Sequence, residues 1–546
     1  MKLKLKTKKI LLIEDYAVMR KTIREMLYAL EAHAIVEAEN GTAAITAMGK
    51  TRFNIVLCDY NLGPGKNGLQ ILEEARFRKL LPFNAIFIMV TAEQDPGMVL
   101  GAMENKPDDY LTKPFTAQQL YSRLERHIQR KKVLANIERE LERGNLALAI
   151  FYCDKLLQTN GKKMRTQLMK LRAELAITVS DFSAAKTIYE EILEQREINW
   201  ARLGLGKIFL LQGEIPDATQ TFQNVIAENP MMMEAYDWLA RTYEAADESA
   251  DAQEILHAAV DLSPQAILRQ KHLAVIAERN GNTDVAKNAY ETVIKLGKNS
   301  VFKAPADFSG LAKIHHKTGT EIEALKVLDN MRQAFPNDPE AELRSATLET
   351  EIYLKINEKE LSEQAYRRAF ELHTKMANLV PKDLNIDMAK ACYINDDADK
   401  ADAILNNLVK NNIDDDEFIA EIKAMHQSLG MDNHADSLIK KTRQTLVDIN
   451  NRGVSLFKQG DLQQAINLLE KAIEKMPDNK TIILNMLKIL LHDSKANGSS
   501  LKKLAQIQHY IDRAVKLGSA REKIGNIRME FNKLLLNHNA KTSAHD

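Results

Sequence analysis

A regular spacing of alanines constrains how most of this 546-residue chain can fold. Ala218, Ala252 and Ala286 lie 34 residues apart, and helical periodicity surrounds each of them. A turn residue often stands five positions before such an alanine, a large side chain four positions after it, and a proline twelve positions after it. Small residues let two helices approach closely, and the large side chain fills the remaining gap. The pattern predicts stacked helix pairs, each packing only against its neighbours.

The 34-residue period resembles that of the tetratricopeptide repeat. We count about ten candidate repeats, whose alanines are Ala149, Ala185, Ala218, Ala252, Ala286, Ala324, Ala365, Ala401, Ala435 and Ala465. The pattern is weaker at four of them, namely Ala149, Ala185, Ala365 and Ala401. The spacing drifts near residues 300–305, where we expect an insertion, and again between residues 336 and 381. A plain helical bundle is the alternative, but a bundle does not require a fixed period.

The resemblance implies a curved array with a concave groove that binds a peptide or a protein surface. Exposed side chains of the first helix in each pair would line this groove, such as Arg202, Asp237, Arg241 and Lys271. For each of these residues taken alone, a solvated helix face is the alternative interpretation.

Apolar runs of strand length recur near the N-terminus, and each run is followed by a polar side chain. The runs at 10–13, 55–58, 85–90 and 109–112 are followed by Glu14 with Asp15, by Asp59, by Thr91 and by Lys113. A further strand is predicted at residues 33–37, and helical spacing separates the strands. Alternating strands and helices predict an α/β domain with a doubly wound, five-stranded parallel sheet. Right-handed crossovers bring all strand carboxyl ends to one edge, where the polar side chains should converge.

The converging side chains suit phosphoryl transfer. Three carboxylates in one pocket repel each other and call for a hard divalent cation, and Mg²⁺ prefers oxygen ligands of this kind. A carboxylate such as Asp59 can attack phosphorus and form an acyl phosphate. A metal ion and the ammonium group of Lys113 would neutralise the transferring phosphoryl oxygens. The hydroxyl of Thr91 could then bond the new phosphate, which carries about two negative charges.

Residues 9 to about 128 resemble a receiver domain of the response regulators of bacterial two-component signalling. Glu14 and Asp15 match the acidic pair of that family, and Asp59 matches its phosphoacceptor. Thr91 matches the switch hydroxyl, and Lys113 matches the invariant lysine. Scattered surface acids and a lysine are the alternative, which the order of the matches along the chain disfavours. The resemblance implies that a sensor histidine kinase or a phosphotransfer protein phosphorylates Asp59 with Mg²⁺ as cofactor.

Further positions extend this resemblance. Tyr110 matches the switch aromatic residue of the family, and Pro114 matches a proline that usually follows a cis peptide bond. The backbone carbonyl of Asn61 would be a metal ligand beside the three acids. The helix after Pro96, the strand of Tyr110 and the helix at 116–130 would form the face that moves on phosphorylation.

The segment after Asp59 departs from the family pattern. It is one residue longer than usual before Gly68, and its sequence Gly63-Pro64-Gly65-Lys66 is unusual. We expect the departure to affect the geometry of this loop and the lifetime of the phosphoryl group, while the chemistry is retained.

These patterns divide the chain into five parts. They are a basic N-terminal tail at 1–8, a receiver domain at 9–130, helical repeats at 131–477, capping helices at 478–536 and a disordered tail at 537–546. Residues 116–143 contain neither glycine nor proline. The last receiver helix can therefore run on into the first repeat or break near residue 130, and both possibilities remain open.

Composition excludes several classes of protein. Lys and Arg together number 75, as do Asp and Glu, which argues against a broad basic face for nucleic acid. The three cysteines are far apart, as expected for a reducing compartment. The first apolar run is too short for a signal peptide, and no run approaches the length of a transmembrane helix. We therefore expect a cytoplasmic protein without a membrane span.

The predicted function is that of a phosphorylation-controlled adaptor, in which the receiver changes how the repeats meet a partner protein. The alternative is a constitutive scaffold whose receiver is only a docking module, although the intact set of acids, hydroxyl and lysine argues against it. Neither a second nucleophile–base pair nor a helix-turn-helix region is visible after the receiver. We therefore expect no output enzyme and no direct DNA binding. Zero net charge also disfavours an RNA-binding helical repeat.

Overall fold

The computed structural model describes residues 5–92, 107–159, 164–518 and 521–542. These residues form two compact units. The first comprises residues 1–178 and 182–314, and the second comprises residues 179–181 and 315–546. Within the described ranges, no helix combines the length and the hydrophobicity needed to cross a membrane.

A five-stranded parallel sheet forms the N-terminal part of the first unit. Its strands are β1 (Lys9–Ile13), β2 (Ala34–Ala38), β3 (Ile55–Asp59), β4 (Ile86–Thr91) and β5 (Asp109–Thr112), in the spatial order β2-β1-β3-β4-β5. The helices of this part are α1 (Ala17–Ala29), α2 (Gly41–Lys50), α3 (Gly68–Phe77) and α4 (Ala117–Glu142). The predicted doubly wound sheet is thus confirmed. The helix predicted after Pro96 lies outside the described residues.

Both faces of the sheet are covered, because successive side chains of a strand point to opposite faces. Ile10 and Leu12 of β1 belong to a core with residues of α1 and α4, whereas Leu11 and Ile13 belong to a core with residues of α2 and α3. Leu5 is completely buried in the first of these cores. The chain therefore packs against the domain before β1 begins, where the sequence predicts a basic tail up to residue 8.

Helix α4 passes through the predicted domain boundary at residue 130 without a break. Its first half contributes Leu120 and Leu124 to the core of the sheet, and its second half contributes Leu134 and Ile137 to the first core of the repeats. One continuous helix thus belongs to two hydrophobic cores. This answers the question that the absence of glycine and proline left open.

Helical repeats follow α4, and most consecutive helices pack against one another. In the first unit the helices are α5 (Leu146–Thr159), α6 (Arg165–Thr178), α7 (Phe182–Gln195), α8 (Asn199–Gln212), α9 (Ile215–Glu228), α10 (Met233–Ala245), α11 (Ser249–Leu262), α12 (Ile267–Arg279) and α13 (Thr283–Gly297). Helix α14 (Pro305–Lys317) follows the predicted insertion.

The second unit continues with helices of 13 to 27 residues. They are α15 (Glu321–Ala334), α16 (Pro339–Lys355), α17 (Lys359–Met376), α18 (Lys382–Ile394), α19 (Ala398–Asn412), α20 (Asp416–Ser428), α21 (Asp432–Lys458), α22 (Leu462–Lys475), α23 (Lys480–Asn497), α24 (Leu501–Lys516) and α25 (Arg521–Thr542). A short 3₁₀ turn, Ala377–Leu379, follows α17. Helix α25 extends to Thr542, whereas the sequence predicts a disordered tail from residue 537.

The alanines that define the predicted repeats lie in the hydrophobic core. All ten are between 0 and 4% exposed. The large residues four positions further on are buried with them, as shown by Phe222, Leu256, Tyr290, Leu328 and Leu469. The fixed spacing in the sequence therefore reflects the close packing of helix pairs.

The turn within each helix pair requires a left-handed backbone conformation. The predicted turn glycines have positive φ values, for example 82° at Gly213 and 73° at Gly281. Asn357 adopts the same conformation, with φ of 64°. The residue five positions after it is Ser362, which is buried and donates its hydroxyl to the carbonyl of Thr350 at 2.8 Å. In this repeat the small residue of the pattern is therefore Ser362 rather than Ala365.

Glycines on the first helices make room for aromatic rings of the second helices. Gly204 lies in α8, and a Cβ atom added there would stand 2.3 Å from the ring of Tyr189. Gly206 packs in the same way against Phe222, with a corresponding distance of 2.7 Å. The run Gly204-Leu205-Gly206-Lys207 is thus a packing feature of α8, which meets the preceding helix pair through Gly204 and its own partner α9 through Gly206.

Replacing Gly204 by alanine should destabilise the first unit. The added methyl group would overlap the ring of Tyr189, which is only 3% exposed and has little room to move. We expect the free energy of unfolding to fall by about 1–3 kcal/mol. The measurement is urea unfolding of the full chain, followed by far-ultraviolet circular dichroism.

Gly49→Ala is the matched control for this substitution. Gly49 lies in helix α2, is exposed, and has no atom within 4 Å of an added Cβ. Alanine should be neutral there or stabilise the helix by up to about 1 kcal/mol. Equal unfolding midpoints for the two variants would contradict the packing argument.

Candidate functional site

Three carboxylates meet at the carboxyl edge of the sheet. Glu14 and Asp15 directly follow β1, and Asp59 is the last residue of β3. Because β1 and β3 are paired parallel neighbours, their ends lie side by side. One carboxylate oxygen from each of the three residues lies within 4.8 Å of the others. The sequence predicted this convergence, and the structure brings the three acids together.

Lys113 joins two of these carboxylates. Its Nζ atom lies 2.9 Å from Oδ2 of Asp59 and 2.8 Å from Oε2 of Glu14. All three side chains are largely buried, with exposed fractions of 14% for Lys113, 9% for Asp59 and 2% for Glu14. Burial alone would lower the pKa of Lys113, but the hydrogen bonds to the two carboxylates raise it. Lys113 therefore remains a cation in this site.

The environment of Asp59 shifts its affinity for protons. Burial raises the pKa of Asp59 to about 6, and the negative charge of Glu14 acts in the same direction. The hydrogen bond and the charge of Lys113 partly oppose this shift. Asp59 is thus ionised at neutral pH, with a carboxylate that is more basic than one in water.

Arg20 supports the acidic turn after β1. Its guanidinium donates to the backbone carbonyl of Glu14 at 2.6 Å and forms an ion pair with Glu37 of β2 at 3.1 Å. A second, longer hydrogen bond reaches the carbonyl of Asp15 at 3.3 Å. Sequence reasoning missed Arg20, because a side chain that binds backbone carbonyls leaves no motif of its own.

The acids open into a cavity of about 340 Å³. Its lining residues are Glu14, Asp15, Tyr16, Met19, Asp59, Asn61, Gly63, Thr91, Ala92 and Lys113. The cavity thus contains the predicted phosphoacceptor, the predicted metal ligands, the hydroxyl of Thr91 and the lysine. Tyr16 and Met19 were not predicted. They lie just before and within the first turn of α1, where the chain leaves the acidic pair.

Tyr110 lies apart from this cavity. Its side chain packs against the core formed with α2 and α3, and its hydroxyl is buried without a hydrogen-bond partner among the described residues. Burial is also the main reason why the pKa of Tyr110 is raised. The peptide bond between Lys113 and Pro114 is cis, as the resemblance implies. The roles predicted for Thr91, Tyr110 and the carbonyl of Asn61 stay predictions.

Glycines shape the loop that leaves Asp59. Gly63 and Gly65 have φ values of 69° and 110°, which other residues rarely adopt. At Gly68 an added Cβ would stand only 2.4 Å from the carbonyl oxygen of Asp59, so α3 must begin with glycine to approach the site. Asn67 caps α3, accepting a hydrogen bond from the backbone N–H of Gln70 at 2.9 Å.

The side chains predicted to line the repeat groove mostly form ion pairs within the first unit. Asp237 accepts two hydrogen bonds from Arg269, at 2.8 and 2.9 Å, and Lys271 pairs with Asp307 at 2.8 Å. Arg202 pairs with two glutamates, Glu197 and Glu228. Arg241 is exposed and stacks on the ring of Trp238 at 4.9 Å. Most of these charges therefore connect helices.

Fold and site together define a receiver-type signalling domain joined to helical repeats. The family description of the response regulator receiver domain matches residues 10–125, and that of the tetratricopeptide repeat matches residues 203–267 and 449–479. The chain belongs to the response regulators of two-component signalling, through its receiver domain.

Parts of the chain are similar to known proteins. The chemotaxis protein CheY of Pseudomonas aeruginosa is 32% identical over 122 residues, which are 22% of this chain and 97% of CheY. The transcriptional regulatory protein ResD of Bacillus subtilis is also 32% identical over 122 residues, which are 48% of its length. A crystal structure of a tetratricopeptide repeat protein from Parabacteroides merdae is 14% identical, with a TM-score of 0.30, and the match covers 44% of this chain and 92% of that one.

Neutralising Asp15 should stabilise the metal-free protein. The three clustered carboxylates repel one another, and Lys113 pairs with only two of them. In the presence of EDTA, we expect Asp15→Asn to raise the free energy of unfolding by about 0.5 kcal/mol. Urea unfolding of the full chain would measure this change in the free energy of unfolding. The control is Glu31→Gln, at an exposed acid after α1, which should leave the free energy of unfolding unchanged. An Asp15→Asn variant that is less stable than the wild type would contradict the prediction.

Proposed function

We propose that this protein accepts a phosphoryl group on Asp59 and thereby controls protein binding by its tetratricopeptide repeats. The observation that carries the proposal is the cavity in which Asp59, two further carboxylates, a hydroxyl and a buried lysine face one another. A buried, basic carboxylate next to a cation is suited to nucleophilic attack on phosphorus.

The residues of the cavity fit a hard divalent cation. Glu14, Asp15, Asp59 and the backbone carbonyl of Asn61 would supply oxygen ligands, which are the donors that Mg²⁺ prefers. When bound there, Mg²⁺ would neutralise negative charge on the phosphoryl oxygens. The clustered acids, with one lysine for two of them, favour this occupant.

Asp59, Lys113 and Thr91 would each take a different part in the transfer. A carboxylate oxygen of Asp59 forms a bond to phosphorus, and the bond from phosphorus to a histidine nitrogen of the donor breaks; the leaving imidazole takes a proton from water. The ammonium group of Lys113, now hydrogen-bonded to Asp59, would move to a phosphoryl oxygen. The hydroxyl of Thr91 would donate to the same group. Tyr110 would then change its packing.

The donor we propose is a sensor histidine kinase or a phosphotransfer protein, as for the family to which the receiver belongs. The output we propose is binding of a protein or peptide by the repeats, without an enzymatic activity of their own. The alternative is a constitutive scaffold with an inert receiver. The ion pair from Lys113 to Asp59 and Glu14 disfavours it, because a docking module needs no buried charges that are costly to desolvate.

Phosphate incorporation tests this proposal. The full chain is incubated with a radiolabelled small-molecule phosphodonor, with and without Mg²⁺. We expect labelling that requires Mg²⁺, that hydroxylamine removes as it removes acyl phosphates, and that falls to background in Asp59→Asn. The buried lysine and the metal ligands would supply the charge stabilisation that the reaction needs.

Asp217→Asn is the control variant, because Asp217 is an exposed acid in the first turn of α9, outside the receiver. It should be labelled like the wild type. A folded wild-type protein that no phosphodonor labels would overturn the proposal and favour the scaffold.

A further inference from the structure

Two irregular segments of the sequence contact each other in the first unit. One is the loop between β3 and α3, which is a residue longer than the family pattern. The other is the insertion between α13 and α14, defined here with its flanking residues as the 296–304 segment. Each interrupts an otherwise regular pattern, and a contact between them is not expected from either pattern alone.

Hydrogen bonds to backbone carbonyls connect the two segments. Lys66 of the loop donates from Nζ to the carbonyl of Asn299 at 2.8 Å, and the side-chain amide of Asn299 donates to the carbonyl of Gly65 at 2.8 Å. The side-chain amide of Gln70 reaches the carbonyl of Leu296 at 3.4 Å. The bonds run in both directions, so they fix the register of one segment on the other.

An aromatic pair extends this contact along α3. The rings of Phe77, the last residue of α3, and Phe302 meet edge to face, with centroids 5.9 Å apart and planes inclined by 81°. The 296–304 segment therefore touches the receiver from the loop after Asp59 to the far end of the next helix.

The 296–304 segment is also firmly attached to the repeats. Lys271 of α12 donates to the carbonyl of Phe302 at 2.5 Å and pairs with Asp307 of α14 at 2.8 Å. Asp307 is only 6% exposed, and it also accepts a hydrogen bond from the backbone N–H of Ala304 at 3.0 Å. A displacement of the segment would thus be transmitted to two repeat helices.

On the receiver side, the loop is part of the site itself. It carries Asn61, which lines the cavity, and the N–H of Gly63 bonds the side chain of Asn61 at 3.3 Å. A Cβ added at Gly63 would stand 3.4 Å from a carboxylate oxygen of Asp15. At the other end of the loop, the N–H of Gly68 bonds the carbonyl of Tyr60 at 2.8 Å. Any change at Asp59 therefore acts on a short and constrained loop.

We propose that the 296–304 segment is the element through which the receiver controls the repeats, and that phosphorylation of Asp59 weakens its contact with the β3–α3 loop. This inference rests on the proposed function and names the route of its regulation. The contact coexists with the ion pair between Lys113 and the carboxylate of Asp59. The acyl phosphate carries about two negative charges where the carboxylate of Asp59 carries one, and it places this charge and three further oxygens beside the loop.

Thermodynamic linkage relates the strength of this contact to the tendency of Asp59 to be phosphorylated. If phosphorylation weakens the contact by some factor, loss of the contact favours phosphorylation by the same factor. Two substitutions on the repeat side weaken the contact without changing a residue of the receiver. Asn299→Ala deletes the hydrogen bond to Gly65, and Phe302→Ala deletes the ring that meets Phe77. The control is Asn288→Ala, at an exposed asparagine of α13.

The first measurement is amide hydrogen exchange of the full chain without metal, read by mass spectrometry. Peptides that cover residues 60–70 should exchange about threefold faster or more in Asn299→Ala and in Phe302→Ala than in the wild type or in Asn288→Ala. Equal rates in all four proteins would show that the contact does not hold the loop, and would overturn the inference.

The second measurement adds Mg²⁺ and beryllofluoride, which mimics the acyl phosphate. In the wild type, peptides that cover residues 296–304 should exchange faster on addition, whereas in Asp59→Asn they should not respond. The concentration of beryllofluoride that gives half of this response should be lower by about threefold or more in Asn299→Ala than in Asn288→Ala. A response of the receiver peptides without any response at 296–304 would overturn the inference and leave the proposed function intact. If no phosphodonor labels the folded wild-type protein, the proposed function is overturned instead.

Discussion

The buried ion pairs of Lys113 with Asp59 and Glu14 are the interaction on which the receiver depends. They join the ends of β1, β3 and β5, and the lysine and Glu14 are 99 residues apart in sequence. Two carboxylates this deeply buried require a cation, since unpaired charges are costly to desolvate. The parallel sheet places the lysine beside them, so the same contact both closes the fold and forms the site. Arg20 adds a second cation, which holds the acidic turn through its backbone carbonyls.

Two physical connections join the receiver to the repeats of the first unit. Helix α4 is continuous from Ala117 to Glu142 and places side chains in both hydrophobic cores. The 296–304 segment forms the second connection, close to residue 314, where the first unit ends. A repeat array transmits displacements between neighbours, because each pair packs mainly on the next. A receiver attached at two places is therefore connected mechanically to the helices between them as well as at its own boundary.

Much of the fold and of the site could be predicted because the signals are periodic or follow from strand ends. The burial of the repeat alanines other than Ala365 follows from helix pairing at a fixed period, and the meeting of Glu14, Asp15 and Asp59 follows from a parallel sheet. Other features gave no such signal. Ser362 replaces alanine in one repeat, because what the position requires is a small side chain and not a particular residue. The sequence also gave no sign that Asp237 and Lys271 form ion pairs with residues one helix pair away.

The sequence by itself determined the helix pairs, the order of strands and helices, and the residues that gather at the carboxyl edge of the sheet. These properties depend on local periodicity and on the handedness of strand connections. Both can be inferred from short segments of the sequence. Only the tertiary structure decided that α4 runs through the domain boundary and that the 296–304 segment meets the loop after Asp59. The contacts of the 296–304 segment join residues that are more than two hundred positions apart, as the separation of 233 between Lys66 and Asn299 shows. The hydrogen bonds among these contacts are accepted by backbone carbonyls, which every residue has. A pattern of side chains in the sequence therefore could not predict them.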